Sequence, residues 1–365
     1  MSRWRAEKPY NELPPPPSAE VLETTAVLKA AIGARAAVAQ LDQASRAMPN
    51  PDVLINTIPL LEAQASSEIE NVVTTSDDLF RHMEDDDSSS DPAVRETLRY
   101  RSALYAGHEH VVERGLTVAA AESVCSMIHA REMAIRALPG TRIANPATGA
   151  IVYSPPEGAD VIRDKLTEWE RFVHADDGMD PLVRMAAAHY QFEAIHPFAD
   201  GNGRTGRILN VLMLVEAGLL HLPLLYLSRY IIDTKDDYYR LLRAVTSDAA
   251  WEEWICYILT GVEQTSADTV ATISATRDLQ ADFAHRARAV SKGGADAEFL
   301  AVLFEQPYCR IATVIDRCGV SRPTATRWLS DLAGAGLLDD HKVGRDRLFI
   351  NREFLTLLLN DRGSR

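Results

Sequence analysis

The twelve residues His196–Arg207, HPFADGNGRTGR, put one histidine, one acid, three glycines and two arginines ahead of the apolar run Ile208–Leu227. Glycine weakens helices, so three of them beside a helical sequence need a reason. Gly201 and Gly203, on either side of Asn202, let successive N–H groups converge into an anion-binding nest. RTGRILNVLML then continues as a helix whose positive end faces that nest. Arg204 and Arg207 lie three apart on one face of its first turns. Two cations there are unfavourable unless an anion binds. Asp200, the only acid of the motif, suits a Mg²⁺ ligand shared with bound phosphates. His196 can take a proton near neutral pH and suits a general base acting on a hydroxyl. Phe198 reads as the loop's anchor in the core.

Working outward, 365 residues are too many for one ordinary core and imply two or three units. Hydrophobic content of 46% and charged content of 25% belong to a soluble globular protein. A net charge of −14 argues against a general nucleic-acid coat or an anionic-membrane binder, while leaving room for a local basic site. Cys125, Cys256, Cys309 and Cys318 stand far apart in no CxxC spacing, which suggests reduced thiols. The N-terminus lacks the apolar segment of a signal peptide, so a cytoplasmic location is expected. Asn210, Glu216, His221 and Pro223 interrupt Ile208–Leu227, and Gly218 offers a helix end. That run reads as a buried helix, not a membrane span.

The flanking sequence is mostly helical. Pro14–Pro17 keep the start extended, with Trp4, Tyr10 and Leu13 placed to tack it onto the body. Helical periodicity runs from Ser18 to about Phe80, and the acidic, serine-rich Met83–Pro92 reads as a solvated connection. Asp91 then caps a helix opening at Pro92. Thr141–Pro156 reads as a hairpin turning around NPATG. Val290–Asp296, VSKGGAD, is the best linker, and the sequence has no internal repeats. After it come a helix, a helix–turn–helix with Gly319 at the turn and Ser321 as N-cap, and a hairpin turning at Gly344. Together these spell a winged helix. The expected units are an N-terminal helical region (1–95), a catalytic core (96–265), a helical linker (266–296) and the winged helix (297–365).

HPFADGNGRTGR matches in full the signature HxFx(D/E)GNGRxxR, and the chain resembles the Fic-domain family over most of its length. PYNELP near the start, the hairpin before the motif and YLSRYI…YYRLL after it carry the rest of the likeness. The resemblance implies a mainly α fold: a Fic-type helical bundle with a small β-hairpin flap, plus the C-terminal winged helix. It implies transfer of AMP from ATP to a Ser, Thr or Tyr hydroxyl of a target protein, releasing diphosphate. His196 would deprotonate the hydroxyl and Asp200 would hold Mg²⁺. The loop Gly201–Asn202–Gly203, with Thr205 and Gly206 following, would cradle phosphate, and Arg204 and Arg207 would bind the polyphosphate, Arg207 nearest the γ-phosphate. Tyr238 and Tyr239 would border the adenine, although either could simply be core. Ile151, Val152 and Tyr153 would form the flap, whose edge can pair with a target segment. Self-modification and a homodimer stay open.

SSEIEN, Ser66–Asn71, reads on its own as serines capping a helix with two exposed glutamates. It also resembles the family's inhibitory motif, (S/T)xxxE(G/N), as Ser66, Glu70 and Asn71. A carboxylate paired with Arg207 would occupy the guanidinium meant for the γ-phosphate. In the winged helix, Arg322, Thr324, Thr326 and Arg327 lie on the expected recognition helix, and Lys342, Arg345 and Arg347 on the wing. From Ala297 to Arg365 ten basic residues face nine acidic ones, a weak charge for DNA. Protein contact is as good a use. Three readings follow: an autoinhibited adenylyltransferase, a hydrolase that removes AMP using Glu70, and a DNA-binding regulator whose core senses nucleotide.

Overall fold

The computed structural model describes residues 4–48, 50–83, 89, 91–145, 148–343 and 346–360. The chain begins with α1 (Ala19–Leu22), α2 (Thr25–Arg46), α3 (Asp52–Ile69), α4 (Ser76–His82), α5 (Pro92–Arg114) and α6 (Val118–His129). A small antiparallel hairpin, β1 (Ile143–Ala144) and β2 (Ile151–Tyr153), pairs Ile143 with Tyr153 and Ala144 with Ile151. Then follow α7 (Ala159–Val173), α8 (Pro181–Ile195), α9 (Asn202–Glu216), α10 (Leu227–Asp233), α11 (Lys235–Asp248) and α12 (Trp251–Val290). The last part holds α13 (Ala297–Glu305), β3 (Tyr308–Arg310), α14 (Ile311–Cys318), α15 (Arg322–Gly334), β4 (Asp339–Val343), β5 (Asp346–Ile350) and α16 (Arg352–Asn360). The fold is mainly α, as expected.

Two helices at the centre carry the motif between them. Almost every residue of α8 and α9 is buried, including Leu182, Val183, Phe192, Ile195, Ile208, Leu209 and Leu212. Each such aliphatic or aromatic side chain contributes about 1.5–3 kcal/mol by leaving water. Two tryptophans fix α8 from outside: Trp169 Nε1 on α7 donates to Ala188 O at 3.0 Å, and Trp254 Nε1 on α12 donates to Ala186 O at 2.8 Å. The 40-residue α12 runs along α2 and α8. Among the described residues no helix is long and apolar enough to cross a membrane; α9 stops at Glu216 and Gly218 follows at φ +69°.

The end signals act as their chemistry requires. Asp91 accepts from Ala93 N–H at 2.8 Å with Pro92 in the first turn of α5, and Asp180 does the same for Leu182 ahead of α8. The extended start is tied down: Leu13 is buried, Trp4 stacks on Tyr153 at 6.4 Å, and Tyr10 N–H donates to Ser154 O at 3.0 Å. VSKGGAD forms a short 3₁₀ turn, Lys292–Ala295, with Gly293 and Gly294 buried; a Cβ on Gly293 would stand 2.5 Å from the Trp328 ring. This segment is packed, which an open linker would not be. The uninterrupted α12 also passes through the expected boundary at 265–266.

The C-terminal elements run helix, strand, helix, helix, two strands and a last helix, with sheet order β3–β5–β4, an arrangement compatible with a winged helix. Gly319 makes the turn at φ +63°, and Ser321 N-caps α15 although its hydroxyl bonds Thr324 and not a backbone amide. The turn at Gly344 with Arg345, Pro146–Ala147 of the first hairpin, and most of the acidic connection before α5 lie outside the described residues.

Candidate active site

The loop between α8 and α9 is built by three internal devices. His196 ends α8 in the left-handed region, φ +51° and ψ +60°, with its N–H still donating to Phe192 O at 3.0 Å. A β-carbon there costs about 1–3 kcal/mol unless the surroundings hold it. Arg136 supplies that hold. Its Nε donates to His196 O at 2.7 Å, and a terminal nitrogen donates to Pro156 O at 2.5 Å and Ile195 O at 3.3 Å. Its own N–H donates to Pro197 O at 2.9 Å. Asn202 then closes the loop: its amide oxygen accepts from Phe198 N–H and its amide nitrogen donates to Phe198 O, both at 2.8 Å. Phe198 is buried beneath, against Phe192.

The structure shows what each motif residue touches. The Asn202 side chain is spent on Phe198. Gly201 does adopt φ +81°, and a Cβ there would stand 2.5 Å from His129 Nε2. Gly203 and Gly206 are helical and need no unusual φ; they are small because side chains press on them. A Cβ on Gly206 would stand 2.6 Å from a Glu193 carboxylate oxygen, and one on Gly203 would collide with the Glu70 carboxylate. Thr205 is fully buried with its hydroxyl toward Cys125, so it lines no open site.

The two arginines are both occupied, by different helices. Arg207, 2% exposed, donates from Nε to Ser66 Oγ at 2.8 Å and from one terminal nitrogen to Ser66 O and a Glu70 carboxylate oxygen, each at 2.9 Å. Arg204, also buried, pairs with Glu96 of α5 and lies 3.9 Å from Asp200. The pair therefore does not present one common face. Burial disfavours charge on Arg207, but Glu70, with smaller help from neighbouring groups, outweighs it and holds the guanidinium protonated.

Glu70 owes its position to how α3 ends. Asn71 N–H donates to Glu68 O and Val72 N–H to Ser67 O, both at 3.0 Å, with Asn71 at φ +64°. This is a Schellman termination, and Asn tolerates the left-handed position better than a β-branched residue would. So Asn71 stops the helix directly after Glu70 and turns the carboxylate over the first turn of α9. That turn leaves its own N–H groups without partners inside the helix. Lys235 Nζ donates to Ile69 O at 2.6 Å, adding a cation at the C-terminal end of α3. Deeper in, Glu62 accepts from Ser228 N–H at 2.9 Å and Tyr100 OH at 3.1 Å; burial pushes its carboxyl up, with Ser228 resisting.

The titratable groups around the loop are tuned by burial first. His196 is lowered to about 4, by burial and then by Arg136, so the ring is neutral at pH 7 and can accept a proton. Its Nδ1 is shielded from solvent. Glu193 is pushed up to about 7 by burial, which Arg207 opposes and Glu70 reinforces. Asp200 is 65% exposed at the loop surface and accepts Gly201 N–H at 2.7 Å. No cluster of three or more metal-ligating side chains is found among the described residues. One exposed carboxylate suits a hard cation that takes its other oxygens from phosphates and water.

The tyrosine pair divides. Tyr238 is buried, its hydroxyl bonded to His189 Nε2 at 2.9 Å, whereas Tyr239 is 46% exposed and packs edge-on against it at 5.2 Å. Ile151, Val152 and Tyr153 are half-buried on the hairpin, and Tyr153 OH donates to Ala194 O at 2.8 Å, tying the flap to the end of α8. Arg136, Glu96, Lys235 and His129 escaped the sequence reading, each lying far along the chain from the group it meets. Glu193, only three residues before His196, escaped it because its burial against Gly206 and Arg207 depends on how α8 and α9 pack. In the C-terminal part Arg322, Arg327 and Lys342 are exposed, Arg347 is paired with Asp340, and Arg345 lies outside the described residues.

Three sequence families match. The Fic/DOC family N-terminal region matches residues 28–109, the Fic/DOC family residues 103–214, and the C-terminal domain of SoFic-like protein adenylyltransferases residues 281–354. The chain is 42% identical over 89 residues to protein adenylyltransferase fic-1 of Caenorhabditis briggsae, covering 24% of this chain and 16% of that protein. It is 37% identical over 79 residues to a probable protein adenylyltransferase of Aquifex aeolicus, covering 22% of this chain and 24% of that one. Both matches thus span a minor part of the relatives' own length. The crystal structure of a Fic family protein from Desulfovibrio desulfuricans superposes with a TM-score of 0.55 at 20% identity, covering 93% of this chain and 98% of the other. At that identity the likeness concerns the fold.

Proposed function

Because this chain belongs to the Fic/DOC family, we propose that it is a protein adenylyltransferase held in check by its own helix α3. The observation that carries the reading is a carboxylate standing where a phosphate would: Glu70 is bonded to Arg207 and lies over Gly203 in the first turn of α9. A site built to pair an anion with a buried guanidinium and a helix N-terminus is a phosphate site. When the γ-phosphate replaces Glu70, Arg207 orients the triphosphate. His196, neutral at pH 7, takes the proton of a Ser, Thr or Tyr hydroxyl. The hydroxyl oxygen bonds to the α-phosphorus, the bond from that phosphorus to the bridging oxygen breaks, and diphosphate leaves. Asp200 would hold Mg²⁺, which when bound would neutralise charge on the phosphates. Tyr239 borders the base, and the hairpin edge at Ile151–Tyr153 receives the target segment.

Removal of AMP from a modified target is the second reading. It is favoured by the 35% exposure of the Glu70 side chain, which leaves its carboxylate able to orient a water molecule. Mass spectrometry of a cell lysate treated with the Glu70→Gly variant, ATP and Mg²⁺ tests the leading reading. AMP on serine, threonine or tyrosine residues is the expected result. Its absence there, together with loss of AMP from pre-modified proteins by the wild type, would favour the hydrolase.

A further inference from the structure

The C-terminal module is fastened to the same segment that carries Glu70. β3 presents Tyr308, a buried residue, to α4; its ring stacks on Phe80 at 6.5 Å and 17°, and its hydroxyl donates to Asp77. α13 packs against α3. Arg317, bonded to both carboxylate oxygens of Glu305 at 2.6 Å, also reaches Asp52, the first residue of α3, at 3.8 Å. That last pair is exposed and worth little by itself.

α4 is in turn bound back onto α3. Ser76 Oγ donates to Gln64 Oε1 and Gln64 Nε2 donates to Thr74 O, both at 2.7 Å. Gln64 lies two residues before Ser66, whose hydroxyl and carbonyl hold Arg207. A continuous series of contacts therefore leads from Tyr308 through Asp77 and Phe80, Ser76 and Gln64 to Ser66 and Glu70. The module reaches the first residue of α3 at Asp52 and grips α4, the next helix, at Asp77 and Phe80; the inhibitory carboxylate lies between those contacts.

We propose that Tyr308 is a positioning residue for Glu70, so that the C-terminal module clamps α3 in the state that denies Arg207 to ATP. The proposal rests on Glu70 and phosphate competing for Arg207. Loosening the clamp raises the fraction of molecules in which Arg207 is available and so tightens nucleotide binding, by about threefold to tenfold for a coupling of ordinary size.

The test uses the full chain with a fluorescent ATP analogue, and amide hydrogen exchange at residues 66–72 as an independent readout. Tyr308→Ala should bind the analogue threefold to tenfold more tightly than the wild type and exchange faster at 66–72. Tyr308→Phe, which keeps the stacking and loses only the hydroxyl, should fall between. Tyr308→Ala combined with Glu70→Gly should bind no more tightly than Glu70→Gly alone. A merely destabilised protein would bind more weakly, not more tightly. Unchanged exchange at 66–72 in both Tyr308 variants would overturn the clamp, as would unchanged affinity in a background where Glu70→Gly tightens it. If Glu70→Gly leaves affinity unchanged while Tyr308→Ala speeds exchange, the clamp stands and the competition for Arg207 is what fails.

Discussion

The loop His196–Arg207 and the helix end Ser66–Asn71 meet at one guanidinium, yet they are held in different ways. The loop is fixed from inside: Asn202 makes two bonds to Phe198, Arg136 binds three carbonyls, and Phe198 is sunk in the core. The helix end is fixed mainly by its bond to Arg207, by Lys235 on Ile69, and by a left-handed Asn71. Its carboxylate remains partly in water. The difference teaches which half can move. On the proposed reading a phosphate would replace Glu70 without disturbing the loop, whereas the loop has no substitute for Asn202 or Arg136.

The largest effect should come from the loop's chemistry. His196→Ala in a Glu70→Gly background should lower AMP transfer from labelled ATP by about 10²–10⁴-fold, with folding unchanged by circular dichroism. Arg136→Leu attacks the loop's support. It leaves three carbonyls without their donor and should cost about 3 kcal/mol in chemical denaturation, with transfer falling as well. Asn71→Val attacks the other half. A β-branched residue in the left-handed position should cost about 1–2 kcal/mol, yet transfer should rise, because α3 no longer ends correctly behind Glu70. If both variants lowered activity alike, the distinction between fixed and movable halves would fail.

The smallest and most diagnostic effect is on pH. The His196 ring sits at about 4, below the ordinary 6.5, so it stays neutral and competent through pH 5–8. Transfer by Glu70→Gly should therefore decline only toward pH 4. Burial, with Glu70 adding to it, pushes the Glu193 carboxyl up to about 7 in the wild type, so any inflexion that Glu193→Gln removes belongs to that carboxyl and should lie lower once Glu70 is replaced. An inflexion that survives the substitution would mean the base titrates as a free histidine does. The linked stability has a definite sign. Between about 4 and 6.5 the unfolded chain takes up a proton at this ring that the folded one does not. That contribution is complete above 6.5 and is lost as pH falls toward 4. His189, lowered to about 3 by burial and then Arg207, acts in the same direction. A melting temperature independent of pH from 7 to 4 would contradict both.

Much of the fold was legible because its signals are local. Asp91 with Pro92, Gly218 after the apolar helix and Gly319 in the turn are end markers whose chemistry acts within a few residues. The candidate loop was legible for the same reason: twelve adjacent residues carry the histidine, the acid and both arginines. What the sequence concealed depends on three-dimensional closure. Nothing near Asn202 announces that its side chain is consumed by Phe198, and nothing near Arg136 or Glu96 announces the carbonyls and the arginine they serve across 60 and 108 residues. Glycine was over-read in one respect: Gly203 is helical and small because the Glu70 carboxylate presses on it, not to reach unusual φ. The packing of VSKGGAD against Trp328 was hidden likewise, since the partner lies on another helix.

The central claim is that Glu70 and a phosphate compete for Arg207. Its most direct test is AMP incorporation from labelled ATP, with Mg²⁺, by wild type and Glu70→Gly at equal concentration in the same lysate. The account predicts a gain of about 5- to 150-fold for the variant. Equal labelling by the two proteins would contradict it.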